Sequence, residues 1–526
     1  LSGRRLRVAG MVSVVVGGLF AGLTPALAEP AAEALNSTHI PARYAAQALG
    51  WHPCTTEELP GTPPGEVGLL ECATFATPRN WERLFEREDL TIAVSRLRAT
   101  GVTTASVLTN PGGPGGPGRS LPLHFRGQDR LREHQEVIGI DSRGTGQSTN
   151  ITCGGMAGPA PELDARNRDP RNLDLLVDAV REGAKTCRQA SGELGSLINT
   201  FQMTKDLDLL RVLLRRQKIN WIGYSAGTWL GAHYAQRFPN RVGRFVLDSA
   251  TEFTASWQQS FDWQPMAFER RWRQDFLPWI ARYEAKYHFG ATGEAARQNF
   301  EQVRAALSRK PVEIGGVKIY PSMVDSLILG SLKEKAQFPT LAERLVQLRT
   351  LTEQGASTRA KAAAEGPVKE AMDKVRAQAP DAMLATLWHT LCNDGPWTGD
   401  RESLIRRSQQ QYDSGLSLYG AGWMSFQICA FWPERPRPLP KLDGKGVPPV
   451  LIVQADKDGA TAIEGARRAR AAFQNSRLLT VTDEGDHGIY SGGNARVDKI
   501  VNAYLVDGVV PADQSVPGMP LPVPAG

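Results

Sequence analysis

Three short stretches hold residue types that could together perform acyl transfer. The first is Gly223-Tyr224-Ser225-Ala226-Gly227, between the apolar run Ile219-Asn-Trp-Ile222 and a helical pattern from Thr228 to Phe238. G-x-S-x-G between a strand and a helix is the nucleophile-elbow pattern. The glycines have a steric reason. A Cβ two residues to either side of such a tight turn would strike the neighbouring strand or helix. The serine hydroxyl is thereby pushed out at the C-terminal edge of a sheet, where a helix N-terminus favours developing negative charge.

A serine needs a base at neutral pH, and the chain has eight histidines. His39 and His52 precede the expected sheet, and His124 and His134 follow a glycine-rich loop. His233 lies eight residues beyond Ser225, on the same helix and so ~12 Å along its axis, out of reach. His288 and His389 fall in a long helical region, where packing or solvation explains them. His487 remains, in the turn Glu484-Gly-Asp-His487-Gly488 after the last expected strand. The acid should come from the turn after the preceding strand, because the chain order of this constellation is Ser, acid, His. Gln454-Ala-Asp456-Lys-Asp458-Gly-Ala-Thr461 offers two candidates there. Asp458 sits deeper in the turn and is preferred; Asp456 stays open. The acid would hold the imidazole tautomer and stabilise its cation.

The loop Asn110-Pro-Gly-Gly-Pro-Gly-Gly-Pro-Gly-Arg-Ser120 nearly spells a phosphate-binding motif from Gly113 onward. Such a cradle needs successive backbone N–H donors and a lysine. Pro111, Pro114 and Pro117 have no N–H, and Arg119 stands at the lysine position. An oxyanion hole asks less: one N–H from this loop and one from Ala226. Glycine admits close approach, and proline fixes the loop in advance. Gly113 is the first choice as donor and Gly112 the second. This chemistry calls for no cofactor and no metal ion.

These residues must be carried by a sheet. Leu69–Phe75 and Leu90–Leu97 read as an antiparallel pair, and the runs 105–109, 136–140, 219–223 and 244–248 as strands alternating with helices. That alternation implies βαβ units and a mostly parallel α/β sheet. Strand signals vanish over 251–447 and return at 449–454 and 477–482. The gap is far too long for an ordinary connection. It carries eight of the twelve tryptophans and reads as a large helical cap inserted before the last two strands. The core parts are thus 69–250 and 448–510, with an N-terminal segment over 29–68 and an irregular Pro- and Gly-rich tail over 511–526.

Residues 1–28 read as a signal peptide: Arg4, Arg5 and Arg7, an apolar run from Val8 to Leu23, and Ala26-Leu27-Ala28. A secreted, extracellular chain without stable membrane association is expected. No later segment approaches the ~18 apolar residues of a spanning helix. Its removal takes three arginines and no acid from a formal charge of +6, which leaves no electrostatic reason to expect nucleic acid. Cys54, Cys72, Cys153, Cys187, Cys392 and Cys429 form no C-x-x-C motif. Nearest-neighbour disulfides are the expected pairing for an exported protein.

The combination resembles a known family, the secreted bacterial tripeptidyl and tetrapeptidyl aminopeptidases, related to proline iminopeptidases within the α/β-hydrolases. The matching pieces are Asn110–Gly116, Asp141-Ser-Arg-Gly-Thr-Gly-Gln-Ser148, Gly223–Gly227, Leu247-Asp-Ser-Ala250, the region of Cys392 and Asp394, and Asp458 with Asp486-His487-Gly488. The resemblance implies an α/β-hydrolase fold and a serine exopeptidase that releases tri- or tetrapeptides from free N-termini through an acyl-enzyme on Ser225. Peptide or protein N-termini would be its partners, and Glu252 and Asp394 its candidate contacts to the substrate ammonium. The family pattern Gly-Glu-Leu-Asp-Pro before the acid is Ala455-Asp-Lys-Asp-Gly459 here, which is why Asp456 stays open. A secreted carboxylesterase or lipase would use the same trio.

Overall fold

Adjacent residues on the sheet strands face two separate apolar cores, because both faces of the sheet are covered. Val107, Ile222 and Val246 lie in one core and Leu108, Trp221 and Phe245 in the other. Strands buried on both sides read as continuous apolar runs rather than alternating ones. The computed structural model describes residues 40–525 except 87, 157, 354, 356 and 378. The leader read at 1–28 and the start of the 29–68 segment lie outside the described residues.

In chain order the strands are β1 (His52–Pro53), β2 (Glu71–Pro78), β3 (Asp89–Leu97), β4 (Ala105–Asn110), β5 (Gln135–Asp141), β6 (Ile219–Tyr224), β7 (Val242–Asp248), β8 (Val312–Ile314), β9 (Val317–Ile319), β10 (Val450–Ala455), β11 (Ser476–Thr482) and β12 (Gln514–Pro517). Apart from the β8–β9 hairpin they form one sheet in the order β1-β2-β3-β5-β4-β6-β7-β10-β11-β12. The contacts among β1, β2, β3 and β5 are antiparallel, and every contact from β5 onward is parallel. This is the mostly parallel sheet of an α/β-hydrolase.

Two details differ from the sequence reading. Three strands, not two, follow the insertion, because Gln514–Pro517 in the supposedly irregular tail pairs in parallel with β11. An edge strand needs only one ladder and tolerates proline, so composition concealed it. The insertion also divides. Trp272, Phe276, Trp279 and Phe300, with Leu341 and Leu345, build a core of their own. Phe253, Trp257, Trp388 and Leu391 instead join the core under the sheet. The lobe proper therefore lies within the 251–447 range, whose ends belong to the body, and it includes the small β8–β9 hairpin.

Disulfides join Cys54–Cys72, Cys153–Cys187 and Cys392–Cys429. A buried ion pair adds a tie of another kind. Arg143 donates to both carboxylate oxygens of Asp206 at 2.6 and 2.7 Å and to the carbonyls of Pro78 and Arg79. Asp206 also accepts from Thr77 and from the Trp81 indole. This fastens the turn after β5 to the helix Thr200–Leu213 and to the end of β2. Breaking one side of such a pair leaves a buried charge uncompensated. Arg143→Met should lower stability by about 3–5 kcal/mol, seen as an earlier urea midpoint at unchanged slope.

Candidate active site

Ser225 leaves β6 with φ 56° and ψ −125° and caps the helix Ala226–Arg237. Between Ile219 and Ala235 it alone is not buried. The two elbow glycines are sterically required. A Cβ on Gly223 would run into the carbonyl of Gly227, and one on Gly227 would lie 2.6 Å from the carbonyl oxygen of Asn110. The turn is held by the Ser225 N–H donating to the Asp248 carbonyl at 3.0 Å. The Thr228 hydroxyl secures the other side by donating to the Ser225 carbonyl at 2.6 Å.

The loop after β4 lies directly on this elbow. A Cβ on Gly112, at φ +91°, would sit 2.5 Å from the Tyr224 oxygen, 2.8 Å from the Ala226 nitrogen and 2.9 Å from Ser225 Cβ. The Gly112 N–H is taken, donating to the Asn110 side chain at 2.9 Å. The N–H groups of Gly113 and Ala226 meet no acceptor among the described residues. Asp141 accepts from the Gly118 and Arg119 N–H groups, and the Thr145 hydroxyl donates to the Gly115 carbonyl at 2.5 Å. The turn 141–148 thus buttresses the loop. Arg119, at the position of a phosphate-loop lysine, turns to Glu58 instead.

His487 Nδ1 lies 2.8 Å from Asp458 Oδ2. Asp458 is fully buried and also accepts from the Ala460 and Thr461 N–H groups and the Thr461 hydroxyl. Burial raises its carboxyl, but the adjoining His487 imidazole and the Thr461 donors outweigh that and hold it below the usual carboxylate range. Asp456 does other work: it accepts from the N–H groups of Asp483 and Glu484, joining the acid turn to the histidine turn. Of the other histidines, His233 is buried, and burial pushes its imidazole down to about 3. His124 packs edge-on to Tyr224, with Nε2 3.4 Å from the Tyr490 carbonyl.

The residue that sequence reasoning passed over is Asp248, at the end of β7. Its carbonyl holds Ser225, as above, and its carboxylate accepts from the N–H groups of Ile489 and Tyr490. Next to it, the Ser249 hydroxyl accepts from the Gly488 N–H at 2.7 Å. One strand end therefore suspends both the serine and the histidine turns. Burial pushes the Asp248 carboxyl up to about 7, against the opposing pull of those donors. An acidic residue directly after the buried apolar run Phe245-Val-Leu247 was the available signal.

Residues 416–517, which include Asp458 and His487, match the family model described as TAP-like protein. Over 496 residues the chain is 29% identical to a tripeptidyl aminopeptidase of Streptomyces lividans, covering 90% of this chain and 88% of that one. The chain is a relative of the tripeptidyl aminopeptidases. It is also 26% identical over 510 residues to the serine protease Hip1 of Mycobacterium tuberculosis, covering 88% of this chain and 90% of that protein. A carboxylesterase B of Mycobacterium tuberculosis is 27% identical over 521 residues, covering 94% of this chain and 95% of that one.

The two carboxylates expected at a substrate ammonium are engaged elsewhere in this tripeptidyl aminopeptidase relative. Glu252 is 5% exposed, accepts from the Trp263 indole at 2.8 Å and lies 3.8 Å from Arg468. Asp394 is 3% exposed and accepts from the Thr200 N–H, the Thr200 hydroxyl and the Trp257 indole. Both act as buried ties, a role that short-range sequence context does not separate from ligand binding. Burial pushes the Asp394 carboxyl up to about 6. The folded state then binds the proton more tightly than the unfolded one, so this group's contribution to stability is lost as pH rises from ~4 to ~6. In thermal melts, the stability deficit of Asp394→Asn relative to the parent should be largest near pH 4 and shrink above pH 6. Gly112→Ala should force the loop off the elbow. Turnover of a chromogenic acyl substrate should fall by about 10²–10³, with the circular dichroism spectrum preserved.

Proposed function

We propose that the chain is an exported serine exopeptidase that releases tri- or tetrapeptides from free N-termini through an acyl-enzyme on Ser225. The observation that carries this is the Asp458–His487 contact of 2.8 Å on a turn hung from the same strand end as Ser225. With Nδ1 committed to Asp458, Nε2 is the ring nitrogen that takes the Ser225 proton as the hydroxyl attacks the scissile carbonyl. The carbonyl oxygen, now negative, is received by the N–H groups of Gly113 and Ala226, which meet no acceptor among the described residues. His487 then returns the proton to the departing amine. Water repeats the cycle on the ester and frees the short peptide. Asp458 stays ionised throughout and stabilises the imidazolium.

A serine peptidase of the α/β-hydrolase fold is what the relatives named tripeptidyl aminopeptidase and serine protease support. The peptide length and the need for a free N-terminus rest on the first of these. Export is supported by the three disulfides, which persist in oxidising compartments. No helix among the described residues is long and apolar enough to cross a membrane.

A carboxylesterase is the second reading, favoured by the relative of that name, which matches along nearly all of this chain. A length series of chromogenic peptides, each with a free and an acetylated N-terminus, separates the two. Cleavage confined to free N-termini and peaking at three or four residues is expected. Indifference to acetylation would sink the aminopeptidase reading, and turnover of simple esters alone would favour the esterase. Ser225→Ala should abolish turnover of every substrate.

A further inference from the structure

The histidine turn is held from two sides, and one of them is the inserted lobe. Residues 488–490 hang from Asp248 and Ser249 of the sheet. The two preceding residues are gripped by the lobe. The His487 N–H donates to the Lys333 carbonyl at 2.8 Å. Asp486 Oδ1 accepts from the Lys335 N–H at 2.6 Å and from Arg271 at 2.7 Å. The Lys335 ammonium pairs with Glu484 and lies 3.5 Å from Asp486.

Arg271 is the hub of this grip. It is fully buried, closes the helix Gln264–Arg271 and lies over the Phe338 ring at 5.0 Å. It donates to the Leu332 carbonyl at 3.3 Å and pairs with Asp275. Asp275 in turn lies 3.0 Å from Lys457, the neighbour of Asp458. Gly485 shows how close the fit is, because a Cβ there would overlap the Arg271 guanidinium. So the lobe touches the acid turn and the histidine turn through one connected set of charges.

We infer that Arg271 and Lys335 are positioning residues for catalysis, and that the lobe sets where the His487 ring stands relative to Ser225. The turn between Asp483 and Gly488 has glycine at two of its positions, so its backbone has freedom that the sheet anchors beyond Gly488 do not remove. A misplacement of about 1 Å in a reacting group can cost 10² in rate. Asp456 holds the N-terminal end of the turn at Asp483 and Glu484, and the lobe restrains Asp486 and His487 themselves. The inference rests on the reading of His487 as the catalytic base.

Steady-state kinetics on the full chain test it, using a chromogenic peptide and a small activated ester. Lys335→Met should lower kcat about 10–100-fold on both substrates, with KM changed by less than about twofold, and Lys335→Arg should restore most of the loss. A kcat within about twofold of the parent overturns the inference, and so does a loss confined to the KM of the peptide, which would make Lys335 a substrate contact. Asp486→Asn, which keeps the shape of the turn, serves as the second variant should Lys335→Met not fold. Its kcat should fall in the same direction at constant KM, and unchanged kcat overturns the inference. Where both fold, the double variant should be no slower than the worse single one; additive losses would mean that Asp486 acts on His487 without the lobe. His487→Ala is the reference. If it retains turnover, the proposed function itself fails; if it is inactive while Lys335→Met and Asp486→Asn are not, only the positioning role fails.

Discussion

The backbone at Ser225 adopts φ 56°, a conformation that costs a non-glycine residue free energy and persists only where its surroundings over-determine it. Three Cβ-free positions make room for it: Gly223, Gly227 and Gly112. The Asp248 carbonyl and the Thr228 hydroxyl then lock it. Much of the remaining architecture serves this one turn. The parallel strands β4, β6 and β7 bring Asn110, Tyr224 and Asp248 to the same sheet edge. The turn 141–148 holds the proline-glycine loop over it, and the Arg143–Asp206 pair holds that turn in place.

What could be read in advance follows from how local each cause is. The elbow, the acid turn and the histidine turn each lie within a few residues after an apolar strand, so their types and order were legible. The loop at 110–120 was legible because proline removes donors wherever it stands. The occupied state of the Gly112 N–H was also within reach, since Asn110 lies two residues before it. Asp248 was not read as a tie because its partners are about 240 residues away. Glu252 and Asp394 have protein partners that the sequence did not reveal, again because those partners are distant or non-adjacent. Carboxylates near a site suit a substrate ammonium until Trp263, Arg468, Thr200 and Trp257 are seen to surround them. β12 was hidden by proline, which an edge strand accepts and a central strand does not.

A proposed trio of Ser225, Asp458 and His487 does not by itself separate a peptidase from an esterase, because attack on either acyl group makes the same demands of nucleophile, base and oxyanion donors. The difference must come from what surrounds the acyl chain and the leaving group. In this chain the insertion has its own apolar core, yet it is not an independent attachment. Its ends are built into the sheet's core, and its charged edge meets the turns that bear the acid and the base. On the proposed reading, the lobe that lies beside the site also holds the turns carrying its acid and its base.

Gly485 and Arg271 give that sharing an evolutionary consequence. A hydrolase that traded its lobe for another while keeping its sheet would leave the buried Glu484 without the lysine that faces it, and a glycine gap with no guanidinium to fill it. The seam along which such enzymes can exchange lobes therefore does not run at the ends of the insertion. It must also take in the histidine turn, more than a hundred residues further along the chain than the lobe residues that hold it. A lobe exchange that kept these contacts would have to carry the turn with it, though the chain writes them far apart.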